Sequence, residues 1–418
     1  MNRDFERIKL GCQHVWKRKA LSLIPVSYLL LWIAVLQAVL NKLSLVLFPY
    51  NSMVFLFALK AIWFCVSLCG IFALFMLLGT PRLAKKYEQQ LLNIGFLDYS
   101  CKPPMLVSVE KTDGGGMILD FLSDSLPASE YEKRRTEIET ALNLKIFEIS
   151  NGRNMRHTII KAISGNKNQP HIIPWSKDYL SNKDFELVLG KTPFGIESVD
   201  IATVPHIAIG GGSGSGKSKL AVLIAFECIM KGAIVCIADM KGGLDFHTYF
   251  HEKCNIITDV QQFLRLLEET LSTMEERRGL LVTACTPNIA EYNQKASCQL
   301  PRIIIICDEI AEILDKTGLN KEQKEQIFRI ESALSTIARQ GRAFGIHLIL
   351  STQRPDAEIL KGQIKTNISY RVCGRADKIL SQIVLDDSSA AEKVPPDSQG
   401  MFCTNTGTLF QAFYLKVR

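Results

Sequence analysis

The chain has no CxxC pair and no cysteine–histidine array at metal-binding spacing, although 12 of its 418 residues are cysteine and 7 are histidine. That absence excludes a zinc-finger or zinc-ribbon reading. Cys65 and Cys69 fall in an apolar stretch, and Cys236 and Cys307 fall in predicted core strands, so the thiols read as small hydrophobes in a reducing cytoplasm. Internal repeats and low-complexity tracts are also missing, which excludes a solenoid. Most of the chain lacks a charge excess as well. Residues 1–90 hold 11 Lys/Arg against 3 Asp/Glu, and the other 328 residues hold 38 against 39, within a formal net charge of +7. The basic excess is thus mostly a topology and anionic-lipid signal, and any DNA-binding surface must be local.

Long apolar runs are present. Leu21 to Leu40 carries no charge over the ~20 positions a spanning helix needs, and a second run from Met53 to Leu78 is interrupted by Lys60 alone. A cleaved signal peptide is disfavoured, because a small-residue cleavage site is missing and a second apolar segment follows at once. Lys17, Arg18 and Lys19 precede the first run, Arg82, Lys85 and Lys86 follow the second, and the connection 41–52 holds Lys42 alone. The expected location is therefore a cell membrane crossed twice, with the N-terminus and the soluble part cytoplasmic. Lys60 either snorkels to the outer interface or marks a span that starts nearer Ala61.

Gly211 to Ser218 (GGSGSGKS) fits the phosphate-loop pattern GxxxxGK[ST] and directly follows the apolar run His206 to Ile209. Successive N–H groups can converge on a polyphosphate only where no Cβ intrudes, which Gly212, Gly214 and Gly216 allow; Gly211, Ser213 and Ser215 complete the loop. Lys217 places a cation on the β- and γ-phosphates, and the Ser218 hydroxyl is the expected Mg²⁺ ligand. Leu220 to Met230 reads as a helix whose positive end faces the anion. Pro301 to Leu314 (PRIIIICDEIAEIL) supplies the element that hydrolysis requires. Its isoleucines with Cys307 form a continuous apolar run, expected of a parallel strand buried on both faces. Asp308, at the strand's C-terminal edge, is expected in the Mg²⁺ shell, and Glu309 to orient and polarise the attacking water. No LSGGQ-like signature lies between Lys217 and Asp308, which disfavours an ABC transporter.

These signals give a layout of a basic N-terminus over 1–20, two transmembrane helices over 21–80, and a linker helix over 81–98. A small domain with a linker covers 99–184 and a P-loop motor covers 185–418. In the small domain, Met105 to Val109 and Met117 to Phe121 read as strands around the turn Asp113 to Gly116, followed by a charged helix, Ser129 to Leu142. The polar segment Asn166 to Asp184, with Pro170 and Pro174, reads as a boundary. Beyond it, His206 to Ile209, Ala233 to Ala238, Ile303 to Cys307, Ile346 to Leu350 and Tyr370 to Cys373 are the strand candidates of a mostly parallel α/β sheet wrapped by helices.

Several short motifs occur together in the second half: Ala338 to Pro355 (ARQGRAFGIHLILSTQRP), Ile364 to Ile368 (IKTNI), Ile383 to Asp386 (IVLD), Met274 to Leu280 (MEERRGL), Asn288 to Lys295 (NIAEYNQK) and the approach Val204-Pro205-His206. In their order along the chain they resemble the motor region of the FtsK/SpoIIIE family of DNA translocases, from about Phe185 to the C-terminus. The resemblance implies a RecA-like motor that forms a ring, expected to be a homo-hexamer, with ATP and Mg²⁺ at subunit interfaces and DNA in the channel. It implies a γ-phosphate sensor at Gln353 and an arginine finger at Arg342, with Arg339, Arg354 and Arg375 as competitors. Asp239-Met240-Lys241 resembles the family's Asp-Pro-Lys turn with Met in place of Pro. Lys241, Lys253, Arg277 and Arg278 are the candidate DNA-lining cations.

The chain stops at Arg418, without the winged-helix reader of the chromosome-segregating members, and has two spans. It is therefore similar in layout to the FtsK-type coupling proteins of Gram-positive conjugative elements, which implies conjugative DNA transfer with a relaxase and channel proteins as partners. A chromosome or plasmid translocase acting at division is the alternative within this class. A type VII-like protein-secretion motor or docking scaffold is the alternative outside it.

Overall fold

The computed structural model describes residues 3–17, 19–46, 52–165, 172–243, 246, 248–353 and 362–416. Arg18, residues 47–51 of the connection between the apolar runs, residues 166–171 of the polar segment and Arg354 lie outside them. The chain divides into two compact units, Met1–Lys167 and Asn168–Arg418.

In the first unit the apolar runs form helices Leu23–Val46 and Ser52–Leu78. Stretches Ala20–Val39 and Phe57–Leu78, with mean hydropathy 2.0 and 2.5, are long and apolar enough to cross a membrane. An amphipathic helix, Arg3–Lys17, packs along the second of these helices. The backbones touch at two glycines. A Cβ on Gly11 would lie 1.9 Å from the Phe75 carbonyl oxygen, and one on Gly79 1.9 Å from that of Arg7. Arg7 is buried, donating to the Gly79 (3.2 Å) and Leu106 (2.6 Å) carbonyls and to Glu88 (2.5 Å).

Four strands, β1 (Met105–Lys111), β2 (Gly116–Leu122), β3 (Leu144–Asn151) and β4 (His157–Ser164), form an antiparallel sheet ordered β1-β2-β4-β3. The helix read in sequence as a linker, Ala84–Asn93, belongs to this unit's core: Ala84, Tyr87 and Leu91 pack with Phe96, Leu119, Tyr131 and Ile160. The helix expected as one piece over Ser129 to Leu142 is two, Ala128–Lys133 and Arg135–Leu142. Arg134 breaks it, and its guanidinium reaches back to the Ile94 (2.7 Å) and Gly95 (3.0 Å) carbonyls at the end of Ala84–Asn93. A cation there satisfies carbonyls that the helix end leaves without partners.

The second unit is built on an eleven-stranded sheet. Its strands are β5 (Ile173–Pro174), β6 (Glu186–Thr192), β7 (Gly195–Asp200), β8 (Ile207–Gly210), β9 (Ile234–Ala238), β10 (Asn255–Ile257), β11 (Ile303–Cys307), β12 (Ile346–Thr352), β13 (Tyr370–Cys373), β14 (Met401–Thr404) and β15 (Leu409–Tyr414). The order is β10-β9-β11-β12-β8-β13-β14-β15-β6-β7, with β5 on β15. The six strands from β10 to β13 run parallel, and β13 to β7 form an antiparallel wing. β11 alternates between two cores: Ile303, Ile305 and Cys307 pack on one face, Ile304 and Ile306 on the other. A strand buried on both faces has no polar alternation, which is why it reads as a continuous apolar run. Residues 172–184 of the polar segment treated in sequence as a boundary belong to this unit, since β5 pairs with β15 and the Trp175 indole donates to Glu227 (3.0 Å).

Candidate active site

The loop after β8 turns through glycines at positive φ, Gly211 at 144°, Gly214 at 72° and Gly216 at 103°. At Gly216 a Cβ would meet the Gly400 nitrogen at 2.9 Å, so the third turn needs glycine on conformation and space together. The loop is braced from the side of β13: Gly212 N–H donates to the Arg375 carbonyl (2.6 Å), the Arg375 guanidinium donates to the Ser213 carbonyl (2.7 Å), and Gly400 N–H donates to the Ser215 carbonyl (2.8 Å). Helix Lys217–Met230 then starts at the loop, placing its unpaired N–H groups on the same spot. Lys217 is buried, and its Nζ donates to the Gly211 (2.7 Å) and Gly212 (3.2 Å) carbonyls. Burial holds its pKa below the usual lysine value, and the negative charges of Glu309 and Asp308 oppose that shift.

Asp308 and Glu309 follow β11 at the same, C-terminal, edge of the sheet. Both are buried. The Glu309 carboxylate accepts from the Thr352 hydroxyl (3.1 Å) and the Gln353 N–H (2.9 Å), so the end of β12 aims it. Burial raises its pKa, against those hydrogen bonds and the charge of Lys217. Expected to end near Leu350, β12 instead runs to Thr352, and this brings Gln353 to the same edge. Ser213, Gly214, Gly216, Lys217, Ser218 and Gln353 line one cavity of about 470 Å³.

Among the described residues no cluster of three or more His, Cys, Asp or Glu is set to hold a metal. A Mg²⁺ ion on a nucleotide needs fewer protein ligands, since phosphates and waters fill its shell. The Ser218 hydroxyl and the Asp308 carboxylate are hard oxygen donors of that kind, and the positive-φ cradle fits the phosphates.

Lys241 also lines this cavity, which sequence reasoning had placed on a DNA-facing loop. The Asp239 carboxylate accepts from the Lys241 N–H (3.0 Å), so an Asx turn shapes the segment where the family has proline. Arg277, another candidate DNA contact, is buried and donates to the Phe344 (2.5 Å) and Pro301 (2.7 Å) carbonyls. Burial of that kind removes it from any DNA-facing surface. Lys253 is exposed, and Arg278 donates to Gln340 (2.8 Å).

The structure does not bring Arg342 to this cavity. It lies in the turn Gly341–Phe344 before β12, at the opposite edge of the sheet, and donates to the Ala202 carbonyl (3.2 Å). β12 has 7 residues. At ~3.3 Å per residue it separates the two edges by about 20 Å, beyond the reach of an arginine side chain. Arg342 and exposed Arg339 line a second cavity of about 620 Å³ with Arg278 and Arg302. Arg375, by contrast, braces the chain's own phosphate loop.

Two buried histidines tie the strand starts together at the Arg342 edge. His206, just before β8, accepts from the Leu348 N–H (3.0 Å) and faces the Ala338 carbonyl (3.1 Å) through Nε2. His347 faces the Pro205 carbonyl through Nδ1 (2.9 Å) and the Arg302 guanidinium through Nε2 (3.1 Å). Both rings are neutral, each with one N–H donating and one nitrogen accepting. Burial pushes their pKa values down to about 4 for His206 and about 3 for His347.

A glycine loop between a parallel strand and a helix, with a lysine at its end and buried acids closing a second parallel strand one strand away in the sheet, defines a P-loop NTPase. Within that class, residues 181–357 match the FtsK/SpoIIIE family, and the chain belongs to it. It is 32% identical over 217 residues to a DNA translocase FtsK of Campylobacter jejuni subsp. jejuni serotype O:23/36 (strain 81-176), covering 49% of this chain and 22% of that one. With a DNA translocase FtsK of Lactococcus lactis subsp. cremoris (strain MG1363) it shares 29% identity over 230 residues, covering 51% and 29%. The chain thus spans less than a third of the length of these relatives. Among solved structures, the pCW3 conjugation coupling protein TcpA, in a monomer form with ATPγS, is 34% identical, with a TM-score of 0.59 over 80% of this chain and 95% of that one.

Proposed function

We propose that this protein is a membrane-anchored, ring-forming ATPase that couples ATP hydrolysis to DNA movement as a coupling protein in conjugative transfer. The likeness to TcpA carries this reading. It extends over 80% of the chain, more than the second unit alone contains, and so reaches beyond the motor. The motor's likeness to DNA translocases supports DNA as the moving substrate.

In this reading the loop N–H groups and Lys217 hold the β- and γ-phosphates, with Lys217 exchanging its loop carbonyls for phosphate oxygens. Mg²⁺, held by Ser218 and Asp308, supplies charge neutralisation on the phosphates when bound. Glu309, aimed by Thr352 and Gln353, orients water towards the γ-phosphate and takes up its proton. Gln353 shares the strand end that holds Glu309, so it reports γ-phosphate to the base. Arg342 faces away from its own cavity, a placement that suits insertion into a neighbour's site in a homo-hexamer. The two apolar helices anchor the ring in the cell membrane with its motor cytoplasmic, where a relaxase-bound DNA and channel proteins are its partners.

The test is ATP hydrolysis by the full-length protein in detergent. DNA raises the rate, and the stimulation falls steeply with salt because phosphate contacts release counterions. A motor indifferent to single- and double-stranded DNA, yet stimulated by the tail of a secreted protein, would replace this reading with the export one.

A further inference from the structure

The cavity at the phosphate loop extends past the loop to residues of β15, and its two ends differ in chemistry. Sheet order fixes its direction. Lys241 and Gln353 belong to the ends of β9 and β12 on one side of β8, while Phe413 and Tyr414 belong to β15 on the other. The charges of Asp308, Glu309 and Lys217 meet on the β12 side, so a triphosphate has its γ end there. The opposite end carries no charged side chain: Ile172, Ala412, Phe413 and Tyr414 line it together with the amides of Gln399 and Gln411. Ile172 is 69% exposed and Tyr414 42% exposed, as large hydrophobic side chains at a cavity mouth.

Residues 173–179, directly after Ile172, are fixed on the sheet, although their composition is that of a linker. Ile173 pairs with Phe413 in β5-β15 register, and the Trp175 N–H donates to the Tyr414 carbonyl (2.9 Å). The Trp175 indole is tied to Glu227 on the phosphate-loop helix, and the Tyr179 ring stacks on Phe413 at 4.2 Å. Among the described residues, these contacts fix the backbone directly after Ile172 and at Tyr414, while both side chains stay exposed.

We propose that Ile172 and Tyr414 form the platform for the nucleobase, so that the segment ahead of the motor helps to bind the nucleotide. The inference rests on the reading of the Lys217 loop as the phosphate site. Apolar and aromatic surface suits the face of a planar base, which stacks on it without needing a matched hydrogen-bond pattern.

Binding of Mg-ATP and of magnesium tripolyphosphate to the full-length protein in detergent separates the two ideas. Ile172→Ser with Tyr414→Ala is expected to weaken ATP at least about tenfold, roughly 1.4 kcal/mol, and to leave tripolyphosphate unchanged. Tyr414→Trp is expected to keep ATP affinity. Unchanged ATP affinity in the double variant, or equal weakening of both ligands, would overturn the platform. The phosphate-site reading fails separately, if Lys217→Ala leaves binding of both ligands intact. Both replaced side chains are exposed, and a melting curve matching the wild type establishes that the variant is folded.

Discussion

Glu309 is a buried carboxylate held by two donors from the end of β12, and its position beside Lys217 is what makes it the water-orienting group in the proposed cycle. Glu309→Gln keeps an acceptor for the Gln353 N–H but removes the base. It is expected to bind ATP as the wild type does and to hydrolyse it about 10² to 10⁴ times more slowly. Turnover within a factor of a few of the wild-type rate would remove Glu309 from that role. The histidines give a prediction in pH. A His buried neutral has a folded pKa below its unfolded value of about 6.5, so unfolding takes up a proton once the pH falls below that value. Stability from His347 is therefore full above pH 6.5 and lost as pH falls towards about 3, by up to about 1.4 kcal/mol per pH unit. Glu227, with its pKa raised to about 7 by burial, acts in the opposite sense, so the quantity to measure is the difference in melting between wild type and His347→Asn from pH 7.5 to 5. The difference should shrink as pH falls; a constant one would contradict the assignment. Gly216, Lys217 and the Asp308-Glu309 pair were legible from spacing alone. Arg375 was not, because bracing a loop through one carbonyl and one guanidinium leaves no pattern in the sequence.

At the scale of elements, five of the six parallel strands could be read because each is a short, largely apolar run flanked by polar residues, whereas β10, with 3 residues at the sheet edge, could not. β11 shows why. Its side chains feed both cores, and Ile305→Ala removes a fully buried group from the centre of one of them. A loss of about 2–5 kcal/mol is expected, read as a lowered midpoint in denaturant; a loss under 1 kcal/mol would mean that the site collapses around the gap. The antiparallel wing was harder to see. The hairpin β6-β7 alternates weakly, and β5 has only 2 residues whose partner lies far along the chain. Tertiary contacts also decided the helix break at Arg134, whose side chain caps a helix about 40 residues earlier.

For the whole molecule, the placement of Arg342 across the sheet from Lys217 makes the proposed ring testable. Arg342→Ala is expected to bind ATP normally and to lose most turnover, as an arginine finger is worth about 10³ to 10⁵ in rate. Mixed with Lys217→Ala subunits, it should regain activity, because an intact Lys217 site then meets an intact Arg342 from a neighbour. No recovery in demonstrated mixed assemblies would show that Arg342 does not act in trans. The two long apolar helices were visible as nearly uncharged runs, yet the embedding of helix Ala84–Asn93 in the first unit's core was not, since its apolar face resembles that of any amphipathic linker.

The central claim is that ATP hydrolysis moves DNA. Displacement of streptavidin from end-biotinylated single- and double-stranded DNA by the full-length protein tests it most directly. The account predicts ATP-dependent displacement on at least one strand form, absent in Glu309→Gln. Full-rate ATP hydrolysis with no displacement on either form would contradict it.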